Sequence, residues 1–159
     1  MTRHKFSRRA ALLTGAAMLA AGVLPAVAQA TGPAIHVLKD PSCGCCTAWI
    51  EIVAAEGFVV TTELADAEAL MRFKMENGIP EAMTSCHTAQ VEGYLIEGHV
   101  PVADIRRLLD QRPKAVGLAV PGMPWGSPGM GPDTEREAYD VRLIHRDGST
   151  TVFSRYTAA

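Results

Sequence analysis

The chain contains 159 residues, of which 48% are hydrophobic, 20% charged and 6% aromatic, and its formal net charge is −2. This length allows one compact domain, and the composition excludes a disordered chain, a collagen-like repeat and a basic nucleic-acid-binding protein. We therefore expect no nucleic acid among its partners. The charges are unevenly placed, because all 17 acidic residues follow Lys39 whereas four of the 15 basic residues precede Ala10.

The first thirty residues have the layout of an export signal. Four basic residues precede an apolar stretch over residues 10–24, Pro25 ends that stretch, and small residues at 26–30 suit a signal peptidase. Residues 7–12 also resemble the twin-arginine signal. We predict a cleaved signal at residues 1–30, a mature periplasmic domain at residues 31–159 and no stable membrane insertion after cleavage. An uncleaved anchor is disfavoured, because the stretch is short for a bilayer.

The mature chain alternates strand-like and helix-like segments. Their order matches that of a thioredoxin-like protein, so we predict an α/β fold: a thioredoxin-like sheet with flanking helices plus a C-terminal β-hairpin addition. Another small α+β sandwich with the same elements is the alternative. The predicted elements are a strand (35–38), a helix (47–56), a strand (58–64), a helix (66–78), a hairpin (88–91 and 94–97), a helix from Pro101, a loop (115–132) and a final hairpin (139–145 and 150–155).

Three cysteines crowd into the point where the first strand meets the first helix, in the run Cys43-Gly44-Cys45-Cys46. The N-terminus of a helix favours a thiolate. A thiolate is both the nucleophile of disulfide exchange and a ligand for soft metals such as Cu(I), and Zn(II) also accepts it. Cys86 is expected just before the third strand, facing the start of the first helix. All four sulfurs are therefore expected to meet at one end of the sheet.

Cys45 separates the possible chemistries. A thiol–disulfide oxidoreductase needs only Cys43 as the attacking thiolate and Cys46 as the resolving thiol. The additional thiol favours bridging thiolates in a polynuclear Cu(I) cluster, with Zn(II) as the less favoured ion. A third interpretation is a binding module with two structural disulfides, in which Cys43 or Cys46 is joined to Cys86. The sequence predicts a metal-binding protein and leaves open copper or thiol redox activity.

Further soft or nitrogen donors lie elsewhere in the chain. Met123 and Met130 belong to the proline-rich loop and offer thioethers to Cu(I), unless they only cover the core. His87 is the one histidine that we expect near the metal. His36 and His145 fall within predicted strands and are expected to be structural or exposed. His99 precedes the helix from Pro101, and we favour a surface position for it over one at the cysteine end of the sheet.

Several blocks of the sequence resemble the family called domain of unknown function 411, which contains CopG-like periplasmic copper-resistance proteins. The resemblance covers nearly the whole mature chain and implies a thioredoxin-like fold, a copper site that cycles between copper-bound and disulfide states, and other periplasmic copper-resistance proteins as partners. It implies four cysteine ligands, with two methionines as candidate additional ligands: Cys43, Cys45, Cys46 and Cys86, then Met123 and Met130. The blocks are residues 40–46, 85–89, 97–101, 117–124 and 126–130.

Overall fold

A computed structural model describes residues 32–159, and the predicted signal at residues 1–30 lies outside the described residues. The described part contains one seven-stranded sheet with strand order β2-β1-β3-β4-β5-β6-β7, together with three α-helices. The elements are β1 (Ala34–Lys39), α1 (Gly44–Ala55), β2 (Val59–Leu64), α2 (Ala67–Glu76), β3 (His87–Val91), β4 (Tyr94–Glu97), α3 (Val102–Gln111), β5 (Ala115–Ala119), β6 (Tyr139–His145) and β7 (Thr150–Tyr156).

The sheet is mixed, which confirms the predicted α/β class. Strands β1 and β2 are parallel, β3 is antiparallel to β1, and β4 is antiparallel to β3. Strand β5 is parallel to β4, and β6 and β7 form the predicted C-terminal hairpin on the other side of β5. The central strands are therefore covered by neighbours, and the two edges of the sheet are β2 and β7.

Helix α1 packs on the sheet through Cys46, Trp49 and Val53, which have no exposed surface. Their spacing of three and four residues places them on one helical face. The helix begins at Gly44, three residues before the predicted start, because Cys43 is its N-cap and accepts a hydrogen bond from the amide of Cys46. The cysteine run is thus the first turn of the helix, where backbone amides favour negative charge.

The predicted loop over residues 115–132 is partly wrong, because its first five residues form the interior strand β5. Ala115, Leu118 and Ala119 are buried between β4 and β6. A strand covered on both faces lacks the alternation of apolar and polar residues by which a strand is recognised in a sequence. Gly117 further obscures the pattern, yet it is required there because a Cβ would collide with the carbonyl of Leu95. The rest of the segment, residues 120–132, crosses the end of the sheet as a loop.

The main core lies around Trp49 and the central strands, and its fully buried members include Val37, Ile96, Ile105 and Leu118. Within residues 32–159, none of the helices combines the length and hydropathy needed to cross a bilayer.

Candidate metal centre

Four cysteine sulfurs converge at one end of the sheet, where their Sγ atoms all lie within 4.8 Å of one another. The strand pairing explains this meeting. Lys39, the last residue of β1, pairs with His87, the first residue of β3. The turn after β1 therefore lies beside the residue that precedes β3, and the first turn of α1 faces Cys86. The structure brings the sulfurs together as the predicted order of elements required.

Cys43 and Cys46 are joined by a disulfide, while Cys45 and Cys86 are free thiols in the described part of the chain. The interpretation in which Cys43 or Cys46 is joined to Cys86 is therefore wrong. One helical turn already brings Cys43 and Cys46 together, so they pair with each other. The Sγ of Cys45 lies 3.4 Å from that of Cys43. The Cys45 sulfur thus stays in contact with that of Cys43 although Cys43 is bonded to Cys46.

The two bonded cysteines differ in accessibility. Cys43 is partly exposed at the helix start, whereas Cys46 has no exposed surface and its Sγ lies 3.8 Å from the carbonyl oxygen of Cys86. A thiol of an incoming molecule can reach only the sulfur of Cys43 directly. This asymmetry fits an attacking residue at position 43 and a resolving residue at position 46.

The thiol of Cys86 lies between two imidazoles. Its Sγ is 3.0 Å from Nε2 of His99 and 3.4 Å from Nδ1 of His87. Burial raises the pKa of the Cys86 thiol to about 12, and the neighbouring Cys45 adds to this increase through charge repulsion. Without a metal, the sulfur of Cys86 therefore carries its proton at neutral pH and can donate it to a ring nitrogen.

His99 lies beside the sulfurs, although the sequence analysis favoured a surface position for it. It has no exposed surface, so that expectation is wrong, and the alternative position at the cysteine end of the sheet is the one observed. Its Nδ1 lies 2.8 Å from the carbonyl oxygen of Pro128, to which it donates a hydrogen bond. Burial lowers the pKa of His99, an effect that this hydrogen bond partly opposes. The only sequence signal was its position in the turn that joins β4 to α3, at the same end of the sheet as the cysteines.

His87 lies next to the cysteines, where the sequence analysis expected it. It has no exposed surface, and its ring centroid is 4.5 Å from that of Trp49. Burial, followed by repulsion from His99 and two lysines, holds the pKa of His87 well below its usual range. Its Nε2 atom is buried without a hydrogen-bond partner among the described residues. A buried ring nitrogen without a partner is uncommon in a folded protein.

The two loop methionines differ in their surroundings. Met123 is 54% exposed, whereas Met130 is partly buried. The neighbouring Gly129, at φ +84°, lies very close to α1. A Cβ there would come within 2.7 Å of the backbone nitrogen of Trp49 and 3.0 Å of the carbonyl oxygen of Cys45. The loop thus passes directly over the first turn of α1. Met130 follows Gly129 in the chain and is therefore closer in sequence to this contact than Met123 is.

A cavity of about 280 Å³ opens beside the sulfurs. Cys43 and Cys86 line one side of it, and Leu70 and Met71 of α2 line another. Its walls give the partly exposed sulfurs of Cys43 and Cys86 a largely apolar approach from solvent.

The side chains at this end of the sheet form a group that could hold a metal ion, in a protein of the α/β class. A family model described as protein of unknown function, DUF411, matches residues 83–130. Two solved structures are similar over 79% of this chain and 98% of their own: copper resistance protein CopG form 2, at 44% identity and TM-score 0.72, and form 1, at 43% and 0.73. Among curated proteins, none matches the chain. The chain belongs to the DUF411 family, together with these copper resistance proteins.

Proposed function

We propose that the chain is a periplasmic copper-handling protein that binds Cu(I) through Cys43, Cys45, Cys46 and Cys86 and contributes to copper resistance or homeostasis. The observation that carries this proposal is the convergence of the four sulfurs within 4.8 Å. Thiolates are the ligands that Cu(I) prefers in proteins. The names of the two similar structures support copper as the metal.

The crowding of the sulfurs favours Cu(I) over Zn(II). Two of them lie 3.4 Å apart on residues separated by a single position, and a third follows immediately. A structural zinc site requires four ligands in a tetrahedron around one ion, which adjacent cysteines supply poorly. Sulfurs that bridge several Cu(I) ions do not need this arrangement. Met130 is the more suitable additional ligand, and Met123 is the less suitable one because it is mostly exposed.

The disulfide suggests how copper binding is controlled. Oxidation of Cys43 and Cys46 to the disulfide removes two electrons and two protons from the dithiol and leaves two of the four sulfurs unable to act as thiolates. Exchange with an external dithiol, which itself becomes a disulfide, supplies the two electrons and two protons that restore the full ligand set, and exchange with an external disulfide reverses the step. We propose that the protein alternates between these copper-bound and disulfide states.

We further propose that the core is thioredoxin-like and that the protein works after export. The strand order β2-β1-β3-β4, with β1 parallel to β2 and β3 antiparallel to both β1 and β4, supports the first proposal. A disulfide is stable in an oxidising compartment, which supports removal of residues 1–30 and a periplasmic location. Other periplasmic copper-resistance proteins are the partners that this location makes available.

The test of the copper proposal is anaerobic titration of the reduced mature protein with Cu(I), with the stoichiometry measured by elemental analysis. A Cys45→Ser and Cys86→Ser double variant keeps the Cys43–Cys46 pair and serves as the matched control. We expect the unaltered protein to bind more Cu(I), and more tightly, than this variant. Equal binding by both proteins would refute the proposal. A preference for zinc in the same analysis would identify zinc, and not copper, as the metal of this site.

A second candidate function is thiol–disulfide exchange, which the disulfide between an accessible and a buried cysteine favours. The Cys43 thiolate would attack a substrate disulfide and form a mixed disulfide, and Cys46 would then release the reduced substrate and leave the Cys43–Cys46 disulfide. Catalysed reduction of a model disulfide that survives Cys86→Ser and disappears with Cys43→Ser would support this function. Failure of the unaltered protein to accelerate the reaction would exclude it.

A further inference from the structure

A second set of donor atoms lies beside the disulfide and does not include it. The set consists of the Cys86 sulfur and one ring nitrogen each from His87 and His99, and its three atoms all lie within 4.8 Å of one another. The sulfur is 3.0 Å from the His99 nitrogen and 3.4 Å from the His87 nitrogen. Cys86 is partly exposed, so an ion can approach from solvent, whereas both imidazoles are buried.

The hydrogen bond of His99 fixes which of its nitrogens is available. Its Nδ1 donates to the carbonyl oxygen of Pro128 at 2.8 Å, so the neutral ring has no proton on Nε2. The Nε2 lone pair is directed at the Cys86 sulfur. A ring nitrogen oriented by a backbone carbonyl on its opposite side is the usual arrangement of a metal-binding histidine.

The spacing of the donors suits a single tetrahedral ion. With a metal–sulfur distance of about 2.3 Å and a metal–nitrogen distance of about 2.0 Å, the sulfur and nitrogen ligands lie about 3.5 Å apart. The observed separations of 3.0 and 3.4 Å require only a small outward movement of the sulfur. The His87 atom that faces the sulfur is Nδ1. With an ion on Nδ1 the ring proton lies on Nε2, on the other side of the ring, where it has no hydrogen-bond partner in the described part of the chain.

We propose that Cys86, His87 and His99 form a nitrogen–sulfur site for a borderline divalent ion of the Zn(II) or Co(II) class, and that this site operates when Cys43 and Cys46 are joined. The oxidised protein then still holds a metal ion, with Cys45 or water completing the coordination. This site shares Cys86 with the proposed copper site but uses neither sulfur of the disulfide. It can therefore be tested in a form of the protein in which that copper site is incomplete.

The experiment is a titration of the oxidised mature protein with Co(II), whose absorption spectrum reports tetrahedral geometry and a thiolate ligand. Because the Trp49 ring lies 4.5 Å from that of His87, bound Co(II) should also quench Trp49 fluorescence, which a Trp125→Phe background isolates. We expect one equivalent of Co(II) to bind with a thiolate charge-transfer band and to be displaced by Zn(II). Failure of the oxidised protein to bind Co(II) would overturn the proposal.

Variants assign the ligands. Cys86→Ser should remove the charge-transfer band, and His99→Gln and His87→Gln should each weaken Co(II) binding by at least about tenfold. The matched control is His36→Gln, at a histidine on β1 that bonds to Thr61 and should leave binding unchanged. Circular dichroism identifies any histidine variant that fails to fold, and Cys86→Ser then decides alone, since a retained charge-transfer band would refute the site.

The outcome is separable from that of the copper proposal, which is measured on the reduced protein with Cu(I). Co(II) binding by the oxidised protein without Cu(I) binding by the reduced protein would refute the copper site alone. The reverse result would refute the nitrogen–sulfur site alone.

Discussion

Lys74 and Glu97 form an ion pair beneath the turn that carries Cys86, where their side chains are only 2% and 0% exposed. The Lys74 ammonium donates to the Ser85 carbonyl oxygen at 3.1 Å and to the Thr88 hydroxyl at 2.9 Å. The Glu97 carboxylate accepts from the Ser85 amide and from the Thr88 hydroxyl, both at 2.6 Å. The hydrogen bonds of these two charged groups therefore fix the residues on both sides of Cys86 and His87, Ser85 and Thr88.

Removal of one partner of this pair should destabilise the protein strongly. Lys74→Met leaves a buried carboxylate without its cation, and we expect it to lower the free energy of unfolding by about 3 kcal/mol or more. Urea denaturation measures this loss. The control is Arg72→Ala, which breaks the exposed pair with Glu68 on the same helix and should change stability by less than about 0.5 kcal/mol. Equal effects of the two substitutions would contradict the assigned role of the buried pair.

Gly129 should be intolerant of a side chain because of its contact with α1. Gly129→Ala adds a Cβ within 2.7 Å of the Trp49 nitrogen at a positive φ, whereas Gly122→Ala meets only the positive φ, since the space around Gly122 is open. We expect Gly122→Ala to cost about 1–2 kcal/mol of unfolding free energy and Gly129→Ala about 3 kcal/mol, because overpacking adds to it. Equal losses in urea denaturation would show that the loop does not press on the helix.

The two loop thioethers should contribute unequally to Cu(I) binding. Met130→Leu keeps the size and apolar character of the side chain but removes a soft donor from the partly buried position. We expect it to lower the Cu(I) affinity of the reduced protein, measured by competition with a chromophoric chelator. Met123→Leu, at a position that is 54% exposed, should have no effect. A larger effect at Met123 would reverse this assignment.

Much of the site could be predicted from the order of elements, because a strand, a cysteine turn and a helix fix where Cys43 and Cys46 lie. The position of Cys86 followed from its place before β3. The role of His99 could not be found in this way, since its burial depends on the loop that brings Pro128 over it. Strand β5 was missed for a related reason: its burial on both faces and its close approach to Leu95 through Gly117 are properties of the assembled sheet.

The thiol of Cys86 should react slowly with alkylating agents in the metal-free oxidised protein. Burial and the neighbouring Cys45 raise its pKa to about 12, so the reactive thiolate is scarce at neutral pH. We expect the labelling rate, followed by mass spectrometry of the peptide that contains Cys86, to rise steadily with pH and to be faster in Cys45→Ser, which removes the repulsion. An unperturbed thiol has a pKa of about 8.5. A labelling rate that levels off near that pH would therefore contradict this expectation.

The buried histidines should make the metal-free protein sensitive to mild acid. Burial lowers the pKa of both His87 and His99 in the folded state, so the unfolded chain binds protons there first as the pH falls. Their contribution to stability is present above about pH 6.5 and is lost progressively below it. Urea denaturation between about pH 7 and about pH 5 should show this decline, and a His87→Asn and His99→Asn double variant should flatten it. An unchanged slope in that variant would assign the decline to other groups.

The sulfur of Cys43 has two partners at once: it is bonded to Cys46, and it accepts a hydrogen bond from the Cys46 amide at 3.3 Å as the N-cap of α1. Reduction breaks the first link without removing the acceptor, and a thiolate is a stronger acceptor than a disulfide sulfur. We therefore expect Cys43 to cap α1 in both the oxidised and the reduced protein. In the redox cycle proposed above, the N-terminal cap of α1 therefore needs no rearrangement when the Cys43–Cys46 bond forms or breaks.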